Sequence, residues 1–288
     1  MPSKFQNVKK PQWITIGIAF ILVVFIYLFG RTVPAKPSHS EAGHVQATAQ
    51  SAITDTIMNM ARRQISPALL KQVRGLENGI SAEAGREQRM EAYHRLAHFW
   101  KDSAHFFPPY GWYEAEAARL ENSEKSLTFA ARLFLENLQQ ESDAELKRWE
   151  ALQAKDLFER SLNINSRNDS TKIGLGATLF LGEISPMEGV AKVREVLDKD
   201  STNVYGQVMM VKGLLMSLQY DKAITRLETI SRVAPANAEA TLMLADIYER
   251  KNDKANAIRW YERSLQVIER KDIKEEIAKR IEELKKAH

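Results

Sequence analysis

The sequence predicts an all-α protein: an α-solenoid of stacked helix pairs, preceded by a single transmembrane helix and extra N-terminal helices. Three observations carry this. Small and large apolar residues recur at a period of 34–35 through the second half of the chain. A long stretch near the N-terminus holds no charge. The remaining segments show helical apolar stripes and no convincing strand alternation.

The chain has 288 residues and no cysteine, which excludes a disulfide framework and any cysteine-based zinc site or nucleophile. Its formal charge is +4, from 41 Lys and Arg against 37 Asp and Glu. Lys4, Lys9, Lys10 and Arg31 account for that excess, and residues 1–31 contain no acid. The body is therefore neutral overall and has no bulk basic field for nucleic acid.

Residues 1–12 form a short N-terminal segment. Residues 13–30 follow, with the core 14–29 reading ITIGIAFILVVFIYLF. About 20 apolar residues span the hydrocarbon of a bilayer as a helix. Trp13 and Tyr27 stand near its ends as interfacial aromatics. The lysines on its N-terminal side favour a cytoplasmic N-terminus and a body outside the cytoplasm, periplasmic in a Gram-negative cell. Val33 and Ala35 would also suit a signal-peptide cleavage site, but the apolar core exceeds the usual ~7–15 residues. Residues 31–50 contain Pro34 and Pro37 among small and polar residues, and read as a flexible stalk.

Residues 51–122 read as an N-terminal helical region. A short helix covers 52–64. Ser66-Pro67 supplies an N-cap with proline at the first helical position, and Asn78-Gly79 ends that second helix. Ser81 is expected to cap a third helix reaching about His105. Pro108-Pro109-Tyr110-Gly111 reads as a break, followed by an alanine-rich helix over 113–121. The aromatic cluster Phe106, Phe107, Tyr110, Trp112 and Tyr113 reads as a cap over the first repeat, with a ligand surface as the alternative. His94 and His98 share one helix face with Glu91, a spacing that can bind metal. Arg95 stands where a zinc-protease signature needs glutamate, so no metal site is assigned.

Residues 123–271 carry the repeats. Ala154, Gly189, Ala223 and Ala257 fall in register, as do Phe158, Val193, Leu227 and Tyr261. Asn168, Asn203 and Asn237 recur at the unit boundaries. The clear units are 169–203, 204–237 and 238–271. The first of them has one extra residue, placed in the turn 182–188 where Pro186 forbids a continuous helix. A degenerate unit precedes them, with Leu127, Ala130, Ala131 and Phe134 in its first helix and about eleven surplus residues. Residues 272–288 place Ile273, Ile277, Ile281 and Leu284 on one face, a terminal capping helix that Asp272 and Glu275 begin as a capping box.

A 34-residue helix–turn–helix period with this alternation of small and large residues resembles the tetratricopeptide repeat, over about 125–271. The resemblance implies a concave groove lined by the first helix of each pair. Its positions fall on Ser170, Ile173, Ala177 and Phe180; on Tyr205, Val208, Lys212 and Leu215; and on Glu239, Leu242, Asp246 and Glu249. The carboxylate-clamping residues of one subclass are absent, since Ile173, Ala177, Met209, Glu239 and Met243 stand there. The expected occupant is an amphipathic protein segment whose apolar face meets Phe180, Tyr205 and Leu215, with a charge on Lys212 or Asp246.

The function read from these features is that of a membrane-tethered scaffold for protein partners in envelope assembly, secretion or chaperone-type complexes. It contacts the lipid bilayer through residues 13–30 and takes no nucleic acid. A homo-oligomeric structural protein is the alternative, and a metal protein using His94 and His98 a more distant one. No nucleophile–base pair, phosphate loop or complete ligand set stands in the sequence, so neither catalysis nor a cofactor is expected.

Overall fold

The structure, a computed structural model, describes residues 39–81 and 84–286. The expected anchor at 13–30 lies outside them. No helix among the described residues is long and apolar enough to cross a membrane. The chain divides into two compact units, 1–51 and 52–288, and the second holds the helix pairs.

The described residues form thirteen helices and no strand. The N-terminal set is α1 (His39–Gln64), α2 (Pro67–Glu77), α3 (Arg86–Asp102) and α4 (Phe107–Glu121). Four helix pairs follow. They are α5 (Glu124–Leu138) with α6 (Ala144–Ile164), and α7 (Asp169–Leu181) with α8 (Pro186–Leu197). The third and fourth are α9 (Val204–Met216) with α10 (Tyr220–Val233), and α11 (Ala238–Arg250) with α12 (Lys254–Val267). The chain closes with α13 (Lys271–Lys286).

The recurring asparagines explain the period. Asn168, Asn203 and Asn237 each sit in extended backbone and accept a hydrogen bond from the backbone N–H three residues on, at 3.0, 2.9 and 2.8 Å. Each thereby satisfies an orphan donor at the start of a first helix. Inside the pairs, Glu183, Leu218 and Asn252 all turn the chain with positive φ, at 55°, 55° and 60°. Asparagine tolerates this region; leucine, crowded by its own Cβ, does not. Leu218 is also 68% exposed, so its side chain gains little by burial. Leu218→Gly is expected to stabilise the fold by about 1 kcal/mol, read as a raised denaturant midpoint.

The N-terminal set departs from the sequence reading in three places. Helix α1 begins at His39, inside the segment expected to be a stalk. After Pro37 the chain holds no helix breaker but Gly43, and Glu41, Ala42, Gln46, Ala47, Ala49 and Gln50 all favour helix. Helix α3 begins at Arg86 rather than at Ser81. Gln88 Oε1 accepts from the Gly85 N–H at 3.3 Å, and the Arg86 guanidinium donates to the Leu120 and Glu121 carbonyls, both at 2.8 Å. That grip on the end of α4 fixes where α3 starts. Pro108 and Pro109 stand in the first turn of α4, where missing N–H groups are harmless, so they open a helix rather than break one.

In the degenerate first pair the surplus lengthens α6 to 21 residues. The added turns carry Trp149, 2% exposed, whose Nε1–H donates to Thr54 Oγ1 at 2.9 Å and ties α1 to the repeats. Phe107 packs edge-on against Phe134, ring centroids 5.7 Å apart, and Phe134 against Trp149 at 5.6 Å. Phe107 and Trp112 of the aromatic cluster thus pack on the core of the first pair, whereas Phe106, Tyr110 and Tyr113 pack into a second core with Met58, Val73, Leu96 and Trp100. The extra residue of the α7–α8 pair lies in its turn, as its spacing predicts, since residues 182–185 separate α7 from α8 and 217–219 separate α9 from α10. Asp272 falls within the first turn of α13 and pairs with Arg270, so the expected capping box gives way to an ion pair. Ile277, Ile281 and Leu284 are buried, and α13 covers the last pair.

Next to Trp149, Glu150 is fully buried. One carboxyl oxygen accepts from Asn137 Nδ2 at 2.8 Å, and the other has no partner. Burial raises its pKa from 4.5 to about 8; the Asn137 bond opposes this and Glu141 adds to it. The folded state therefore holds the proton more tightly than the unfolded state. Stability is full below about pH 4.5 and falls as pH rises through about 8. Glu150→Gln keeps the Asn137 acceptor, and it is expected to raise Tm at pH 8 and to change it little at pH 4.5.

Candidate functional site

The first helices of four consecutive pairs wall a cleft of about 590 Å³. Arg132, Leu135 and Glu136 come from α5, Ser170 from α7, Tyr205, Val208 and Lys212 from α9, and Glu239 from α11. Arg132 lies over the Tyr205 ring, 5.7 Å from its centroid, and donates to Ser170 Oγ at 3.1 Å. Lys212 Nζ donates to Gln139 Oε1 at 2.6 Å and pairs with Glu239 at 2.9 Å. Burial raises the Tyr205 pKa; the Arg132 charge opposes this and Glu136 reinforces it, so the phenol stays a neutral donor. Val208 is buried in the floor.

Two of these contacts join α5 to α9 across α7. Closure is possible because α7 is covered on every side beyond its first turn: residues 173–181 are all buried, and Thr178 among them donates to the Gly174 carbonyl. Ile173 and Ala177, groove positions by resemblance, are fully buried there. Phe180, expected in the same groove, is 4% exposed and lines a different cleft, on the side of the second helices α8 and α10. Leu215 is half-buried against the core and lines neither cleft.

Leu242, Asp246 and Glu249 stand apart from Lys212. They line a cleft of about 650 Å³ between α11 and α13, with Tyr261, Ile273 and Arg280. The Tyr261 hydroxyl lies 2.6 Å from Asp246 Oδ1 and 3.0 Å from Glu249 Oε2, able to donate to either. Its pKa is raised by burial first and by both carboxylates next. Arg280 forms an ion pair with Glu249, which lowers the Glu249 pKa, mainly through that hydrogen bond. One continuous groove is thus replaced by two clefts, and the charges expected to meet a partner already have partners within the chain. Arg280 and Arg132 were missed in the sequence. A charged stripe on the last helix hints at Arg280, whereas the lengthened α6 hides the register of Arg132.

The histidine pair separates. His94 Nδ1 lies 3.2 Å from Glu114 Oε2, and His98 Nδ1 lies 3.8 Å from Asp102 Oδ2. Among the described residues, no three His, Asp or Glu side chains are placed to hold a metal ion.

Helix pairs of this length, capped by asparagine and walled by their first helices, define a helical repeat protein. The tetratricopeptide repeat model matches residues 209–272, within the third and fourth helix pairs and the start of α13. No curated protein matches it. Among solved structures it is similar to YrrB, described as a TPR protein with an unusual peptide-binding site. That match has 14% identity, covers 69% of this chain and 100% of that one, and has a TM-score of 0.40. MamA matches at 11% identity over 62% and 91% of the two chains, with a TM-score of 0.41. Yeast Tom70 matches at 16% identity over 87% of this chain and 61% of its own, with a TM-score of 0.35.

Proposed function

We propose that this protein is a membrane-tethered scaffold that holds a segment of a protein partner in the cleft of its first helices. The observation that carries the reading is that cleft: an apolar floor of Tyr205 and Val208 beneath polar side chains, walled by four successive pairs. A partner segment would exchange hydrogen bonds with Gln139 and Ser170 while its apolar side chains meet the floor. The uncharged stretch 13–30 and the lysines before it support a bilayer anchor with the body outside the cytoplasm. A role in envelope assembly, secretion or chaperone-type complexes follows from such a placement.

Photo-crosslinking tests the reading. A benzophenone side chain at Glu136, exposed on the cleft rim, is expected to capture a discrete protein in intact cells, and one at exposed Glu159 is not. Tyr205→Ala should abolish the adduct. Identical adducts at both positions, or none at Glu136, would reject the cleft. Protease added outside the cytoplasmic membrane should digest the body; protection until lysis would reject the topology.

A further inference from the structure

A third cleft, of about 630 Å³, opens between the second helices α8 and α10. Its floor is apolar, built by buried Phe180 and Met210 and half-buried Leu214. Helix α8 turns Met187, Val190 and Arg194 towards it, at the i, i+3, i+7 spacing of one helix face. Met187 is 81% exposed, an apolar side chain the fold itself does not use. Helix α10 presents Lys222 and Arg226, one turn apart.

Three cations therefore rim an apolar trough that no aspartate or glutamate lines. The nearby acids are engaged elsewhere: Glu188 with Lys192, Glu195 with Lys172 and Lys199, Asp221 with Lys251. Lys222 Nζ and Arg226 Nη1 donate only to neutral amides, Gln219 Oε1 and Gln207 Oε1, each at 2.7 Å. Arg194 forms no ion pair among the described residues. Burial lowers the Arg226 pKa, and the charge of Arg194 lowers it further. The fold holds two guanidinium groups close enough to repel, with no carboxylate between them.

We propose that this cleft docks an acidic amphipathic segment of a partner protein, its carboxylates on Arg194, Lys222 and Arg226 and its apolar side chains on Phe180, Met187 and Val190. Guanidinium groups bind carboxylates through paired, charge-assisted hydrogen bonds, which relieves the repulsion. Flexible methionines at the rim and floor adapt to varied apolar side chains. The chain does not supply this segment from residues 1–38, which contain lysine and arginine and no acid. The site is separate from the first-helix cleft and stands whether or not that cleft binds.

The test uses the full-length chain in dodecyl maltoside. The probe is a fluorescein-labelled synthetic helix with leucines on one face and glutamates flanking them. Fluorescence anisotropy is expected to show saturable binding that weakens with salt, and the glutamine version of the peptide should bind at least about tenfold more weakly. Arg194→Gln with Lys222→Gln, both exposed and outside the core, should lose about tenfold or more, and Arg160→Gln, an exposed cation away from the cleft, should lose nothing. Equal binding of the glutamine peptide, an unchanged double variant, or an equal loss in Arg160→Gln overturns the proposal. So does binding of phosphatidylglycerol vesicles without binding of the peptide. Self-association that Arg194→Gln abolishes, with no peptide binding, would assign the cleft to a second copy and equally overturn it.

Discussion

Gly189→Val is expected to lower stability by about 3 kcal/mol or more, enough to leave a substantial part of the α7–α8 pair unpacked at ordinary temperature. Helices α7 and α8 cross where Gly176 faces Gly189. A Cβ on Gly189 would stand 2.4 Å from the Gly176 carbonyl oxygen and 3.0 Å from both Leu179 Cβ and the Phe180 nitrogen. Two of those three atoms are backbone, so no rotamer change makes room and the helices have to separate. Separation would open the contacts of Leu179 and Val193, both buried. Gly75→Ala is the control: in α2 a Cβ there meets nothing within 4 Å, and the change should stabilise by about 0.5–1 kcal/mol. Urea unfolding of both variants checks the pair. Equal midpoints would show that the crossing yields without strain.

Removing residues 271–288 is expected to produce a chain that aggregates, or that melts about 10 °C lower or more where it stays soluble. Helix α13 buries Ile277, Ile281 and Leu284 against the last pair, with Ile273 half-buried beside them. At about 1.5–3 kcal/mol for each buried aliphatic side chain, the loss is on the order of 5 kcal/mol. The deletion also takes Arg280 from Glu249, leaving that carboxylate, one of the two at Tyr261, without its ion-pair partner. Size-exclusion chromatography and thermal melts read the outcome; an intact monomer with the original midpoint would mean that α13 is an appendage and not a lid. The Arg280→Gln variant separates the two causes, since it removes the cation and keeps the apolar cover.

The helix pairs were legible because their determinants are local. Asparagine at the caps of three first helices, proline at helix starts and the alternation of small and large residues act within one or two turns of the chain. The turn carrying the extra residue of the second unit was placed correctly for that reason. The start of α3 was not, because it depends on Arg86 holding the carbonyls of α4, a contact 34 residues away. The groove failed in the same way. Tyr205, Val208 and Lys212 do line a cleft, as their register implies. Ile173 and Ala177 share that register but are roofed over by neighbouring helices, and Phe180 turns to the other side. A signal for this was present: from Ile173 to Leu181 only Thr178 is polar, so that part of α7 has no polar face to leave open, and only Ser170 in its first turn reaches the cleft. Glu249 lost its expected freedom to Arg280, a residue outside the repeat period altogether, and Asp246 to the Tyr261 hydroxyl.

The bridge from Lys212 and Tyr205 back to α5 constrains how the array can change in length. In an ordinary string of repeats each unit touches only the next, and copies can be duplicated or lost with little harm. Here the first and third units clasp one another over the second. A further unit inserted between them would pull Lys212 away from Gln139 and Arg132 away from Tyr205. Units added after the fourth would leave that clasp intact. A unit copied in between α5 and α9 would break the clasp, whereas units added outside that stretch would spare it.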